Sequence, residues 1–175
     1  ATDNSGATSG DATTDTETVT ITITGTNDTP VISNGPDTAA LTESDTTLTA
    51  SGDFKVVDLD VTDTVAMTVD SVALSGTFTS SGSTLPSTLS ASSNQALKDM
   101  LTLSVASGSL SSLSADSPDG NIFNWAFSSG SSGDSAFDFL RQGETLILTY
   151  TIKATDTSNT ATKAGTSTVT ITITG

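Results

Sequence analysis

The octapeptide Thr18–Gly25, TVTITITG, returns letter for letter as Thr168–Gly175. In each copy a Val and two Ile alternate with threonines. A period of two in β-branched residues marks a strand with one buried face. Gly25 ends the first copy, and Asn27-Asp28 before Pro30 reads as a short, stiff, oxygen-rich turn. One strand therefore ends at a junction, a unit begins after it, and the same strand closes that unit. Ala1-Thr2-Asp3 likewise matches Ala154-Thr155-Asp156. Residues 1–25 read as the last loop and closing strand of a preceding repeat, and residues 26–175 as one complete repeat. Such a repeat is longer than the roughly 20–50 residues of solenoid units, so each unit is a domain on a string.

Short alternating segments fill the unit. Val31-Ile32-Ser33 opens a first strand that Ala39–Thr42 continues. Leu48–Val57 is a second strand, and Val65, Met67 and Val69 lead a third toward Leu74. Ser75–Ser93 is poorly patterned. Ala96, Leu97, Met100 and Leu101 share one face of a possible short helix near 93–101, capped by Ser92 or Ser93. Leu101–Val105, Ile122–Phe127, Glu144–Ala154 and Thr166–Thr174 are further strands. Phe137, Phe139 and Leu140 form an apolar turn. Seven or eight short strands separated by turn signals predict an all-β Greek-key sandwich. Trp125, Leu146, Leu148, Tyr150 and Ile152 are its expected core.

Five Lys+Arg against 20 Asp+Glu give a net charge of −15. Such a chain repels nucleic acid and anionic membranes and attracts cations. It has no Cys and no His, which removes disulfides, thiolate sites, the commonest general base and the commonest transition-metal ligand. A Ser-Lys dyad lacks its Ser-x-x-Lys spacing. Paired carboxylates of a glycosidase kind would sit in a domain-end loop without an aromatic cleft. No apolar run reaches the roughly 18 residues of a membrane span. The expectation is a non-enzyme.

The constellation that carries chemistry is acidic. Asp58-Leu-Asp60-Val-Thr-Asp63 places three carboxylates on one loop, and Ca²⁺ is held by six to eight hard oxygens of this kind. If the first strand runs away from the linker, the second returns to it. In a Greek-key sandwich the strand ending at Asp156 also returns to that end. Asn27, Asp28, Asp58, Asp60, Asp63 and Asp156 thus converge as a predicted Ca²⁺ site. The competing reading of these residues is loop capping. Glu43 falls at the opposite end, where it would serve a junction with a following domain.

Trp125-Ala-Phe127, Phe137-Asp-Phe-Leu140, Gly143–Tyr150, Ala154-Thr-Asp156 and Thr168–Gly175 together resemble the VCBS repeat, a family of large secreted bacterial surface proteins that include RTX-type adhesins. The resemblance covers most of 26–175 and is strongest from Asn121 onward. It implies an immunoglobulin- or cadherin-like sandwich, tandem arrays, an extracellular or cell-surface location, and a role in adhesion or biofilm. The junction residues also resemble those of cadherins, where a linker turn, a DxD and a further Asp hold Ca²⁺ between domains. The expected function is a calcium-stabilised extender repeat, monomeric in dilute solution, whose partners are neighbouring repeats of the same chain. The alternative is a carbohydrate-binding module that uses the variable region 75–133.

Overall fold

The computed structural model describes residues 16–78, 95–116, 118–130, 136–157 and 162–175. Among them the chain forms β1 (Val31–Ser33), β2 (Asp37–Thr42), β3 (Thr49–Val57), β4 (Thr64–Thr77), α1 (Gln95–Lys98), β5 (Leu101–Val105), β6 (Leu113–Ser114), β7 (Asn121–Ser128), β8 (Thr145–Asp156) and β9 (Ala164–Thr174). The strands make two sheets, in the orders β1-β3-β7-β5 and β2-β9-β8-β4-β6. The protein is an all-β sandwich. The predicted short helix is present as the single turn α1.

The strands outnumber the expected seven or eight because the opening segment divides and because Leu113–Ser114 forms a short strand that no alternation marked. β1 pairs antiparallel with β3, whereas β2 pairs parallel with β9 in the other sheet. The crossing occurs at Asn34-Gly35-Pro36, where Asn34 has φ of 66° and the Gly35–Pro36 bond is cis. A cross-sheet bond holds the crossing in place: the Trp125 indole on β7 donates to Asp37 Oδ2 on β2 at 2.9 Å. Gly52 lies beneath this pair, and a Cβ there would come 2.3 Å from Asp37 Oδ2 and 2.7 Å from the indole nitrogen.

Alternation builds the core. Along β8 the residues Leu146, Leu148, Tyr150, Ile152 and Ala154 are buried and their neighbours half-buried. Phe54, Val56, Phe123, Trp125 and Phe127 close on them from the other sheet. Trp125 is 1% exposed, so it packs in the core and offers no surface for stacking on a sugar. Tyr150 is also buried. Its hydroxyl donates to Leu97 O at 2.8 Å, and burial pushes its phenol above the ordinary value. β4 runs further than its apolar pattern suggested, as far as Thr77, with a register shift between Val69 and Ser71. Most of Ser75–Ser93, including Ser92 and Ser93, lies outside the described residues.

Candidate cation-binding junction

The two strands that end at the linker bring carboxylates into the core's rim by simple parity. In β3 the inward set is Phe54 and Val56, and the next residue of that set is Asp58. In β8 the inward set runs from Leu146 to Ala154 and ends on Asp156. Side chains two apart share a face of a strand, so both aspartates turn inward at the same end. They are 2% and 1% exposed. The strand registers confirm the shared end, since Val65 at the start of β4 pairs with Asp156.

Four predicted residues extend the group. Asp60 N donates to Asp58 Oδ1 at 3.0 Å, closing a tight loop. Asp60 Oδ2 accepts from the Asp28 amide at 2.6 Å. The Asn27 side-chain amide donates to Asp156 Oδ2, which also accepts from Lys163 N at 3.3 Å. Asp63 N donates to Asp60 O at 2.9 Å, and its carboxylate is near enough to act on Asp58 electrostatically. All six predicted positions therefore gather where the linker enters the sandwich.

Asp58 is the most strained electrostatically. Its Oδ2 is buried without a hydrogen-bond partner. Burial pushes its carboxyl above the ordinary value, the Asp60 amide pulls it back, and the charges of Asp60, Asp156 and Asp63 raise it further. A buried acceptor without a donor costs free energy that a bound cation removes. The oxygen set is the hard-ligand chemistry of Ca²⁺, and nothing in it suits a soft metal.

No motif or spacing singles out Lys163. Its ammonium donates to Asn27 O, while its carbonyl accepts from Asp156 N at 2.9 Å. The linker also presses on Gly165: a Cβ there would lie 2.0 Å from Pro30 O. Only glycine allows that approach.

The opposite end carries a second cluster. Glu43 N donates to Thr174 O at 2.7 Å, which places Glu43 beside the end of β9. Carboxylate oxygens of Glu43, Asp45 and Asp138 lie within 4.8 Å of one another. Partial burial, the charge of Asp138, a hydrogen bond to it and the charge of Asp45 all push the Glu43 carboxyl upward. Sequence reasoning singled out Glu43 alone. Asp138 was legible in principle, because it is the outward residue between buried Phe137 and inward-packing Phe139.

No family model and no curated protein matches this chain. Among solved structures it is similar to AggA, the major subunit of aggregative adherence fimbriae type I from Escherichia coli, at 14% identity over 86% of this chain and 98% of that one, with a TM-score of 0.36. No helix among the described residues is long and apolar enough to cross a membrane.

Proposed function

We propose that residues 26–175 form a non-catalytic, calcium-stiffened extender repeat of a bacterial cell-surface adhesin. One observation carries the cation reading: a buried Asp58 with an unpartnered oxygen, surrounded by the charges of Asp60, Asp156 and Asp63 where the linker attaches. Asp58, Asp60, Asp63 and Asp156, with Asn27 and Asp28, would hold Ca²⁺. The ion would supply the positive charge this group lacks and tie linker to sandwich, so that a preceding unit is held at a fixed angle. Thr18–Gly25 would be the closing strand of that unit, and residues 1–15, read as its last loop, lie outside the described residues. Glu43, Asp45 and Asp138 at the far end would meet the linker of a following unit. The adhesin setting, secretion and biofilm role come from the resemblance to VCBS repeats.

The carbohydrate-binding alternative finds less support. Trp125 is buried, and the exposed large hydrophobics among the described residues are all aliphatic: Val19, Ile21, Ile23, Val31, Leu59, Val61 and Ile122. A glycan array separates the two, because an extender leaves it blank. Calcium is tested by isothermal titration of the chelator-treated chain, with Asp60→Ala alongside. Heat from the wild type and none from the variant is the expected pair. Absence of wild-type binding at millimolar Ca²⁺ would end the calcium reading.

A further inference from the structure

Thr18–Gly25 has the sequence of a core strand and none of its surroundings. Val19, Ile21 and Ile23 are 84%, 80% and 90% exposed, whereas their counterparts Val169, Ile171 and Ile173 are fully buried in β9. β9 lies between β2, parallel to it, and β8, antiparallel to it. We propose that Thr18–Gly25 is a donor strand for a second copy of this sandwich, entering between its β2 and β8 in the register of Thr168–Gly175.

The slot between β2 and β8 fits this strand because its present occupant is the same eight residues. Each Val and Ile would meet the side chains that Val169, Ile171 and Ile173 now meet, and each Thr would keep its partner on β8. Its own sandwich is out of reach. Pro30 O lies against Gly165 near the start of β9, and Asp28 N is tied to Asp60. A strand in the native register would end with Gly25 at the place of Gly175, ten residues further along. That is about 33 Å at roughly 3.3 Å per residue. The five residues from Gly25 to Pro30 span at most about 18 Å. The partner must therefore be another copy, joined head to tail with the donor's body beyond the Glu43 end of the acceptor. Head-to-tail contacts of this kind extend into chains instead of closing.

In a chain of these 175 residues two identical strands compete for one slot. Exchange leaves side-chain contacts unchanged, and β9 has the advantage of being tethered next to it. The wild type is thus mainly monomeric, with donor insertion as a minor state at high concentration. This inference is independent of the cation reading, and its test is run in chelator so that the two fail separately.

The chain contains no cysteine, which permits a register-specific trap. Thr149 pairs with Thr170, whose counterpart in the donor is Thr20. A chain carrying Thr20→Cys is mixed with a chain carrying Thr149→Cys under mild oxidation. A disulfide-linked heterodimer should accumulate, and a Thr24→Cys donor, four residues out of register, should trap several-fold less. Placing Ile171→Ala in the acceptor weakens the competing β9 and should raise the trapped yield several-fold. The proposal is overturned if no heterodimer forms, if Thr20 and Thr24 trap equally, or if Ile171→Ala leaves the yield unchanged.

Discussion

Asp58→Asn separates a cation site from a loop cap by the sign of its effect. Asp58 is 2% exposed, one of its oxygens has no hydrogen-bond partner, and three neighbouring carboxylates repel it. Asn keeps an oxygen for the Asp60 amide, removes the charge, and offers an amide NH2 donor to the neighbouring carboxylates in place of the unpartnered oxygen. In chelator the variant should gain about 1–3 kcal/mol, the usual cost of a buried unsatisfied group. For the wild type, a dissociation constant of about 10⁻⁴–10⁻³ M and about 10 mM Ca²⁺ give about 1.4–2.7 kcal/mol, or about 3–11 °C in Tm. The variant should lose most of that calcium shift. Differential scanning fluorimetry, with and without Ca²⁺, should therefore find Asp58→Asn melting above the wild type in chelator and responding little to calcium. A loop-capping aspartate predicts the opposite: the variant would melt lower in chelator, and Ca²⁺ would be irrelevant to both. Either a lower Tm in chelator or an intact calcium shift refutes the argument.

The same charges set a pH dependence. Asp58 and Glu43 have folded values raised above their ordinary 3.8 and 4.5, so the folded state binds these protons more tightly than the unfolded one. Their contribution is fully present below the ordinary values and is lost as pH rises through the raised ones. In chelator, the Tm should climb as pH falls from neutrality toward the ordinary carboxyl values, and the climb should be smaller in Asp58→Asn. A flat profile in the wild type would contradict this. Gly165→Ala forces a Cβ toward Pro30 O and should cost about 1–3 kcal/mol as an overpacked contact. A Tm within a degree of wild type would mean that the linker does not rest there. Tyr150→Phe removes the bond to Leu97 O and should cost about 0.5–1.5 kcal/mol by chemical denaturation, with an unchanged m-value. No loss would show that α1 is not anchored through that hydroxyl.

Much of the fold was legible because parity does most of the work. The alternation Leu146–Ile152 identifies the buried face of β8 directly, and the structure buries that set and no other from this strand. The convergence of Asp58 and Asp156 followed from counting strand directions. Their burial was legible too, since each continues the inward set of its strand, yet an Asp in that place reads as a loop residue until the strand is known to reach it. The division of the opening strand was not legible. Asp37 looks like a turn former, and its partner Trp125 is 88 residues away in sequence and in the other sheet. Asp45 sits two residues from Glu43 in the same turn, and Asp138 could be read as outward from its flanking phenylalanines, but the meeting of Asp138 with Glu43 depends on two loops from distant parts of the chain ending at the same place.

The placement of charge follows from these directions. A sandwich whose opening segment runs into a strand parallel to its last one, as β2 is to β9, takes the chain in at one end and carries its last strand to the other. Strand ends are where the inward set reaches the rim of the core, so each end gathers whatever residue follows the last apolar one. Here those residues are acidic at both ends: Asp58 and Asp156 beside the entering linker, and Glu43 with Asp45 and Asp138 beside the departing strand. Copies joined end to end would therefore set one acidic face against another. Like charges at such a contact oppose stacking in the absence of cations. Cations that bind between the faces reverse that sign. In the string of units proposed above, this arrangement would couple stiffness to the cation concentration around it.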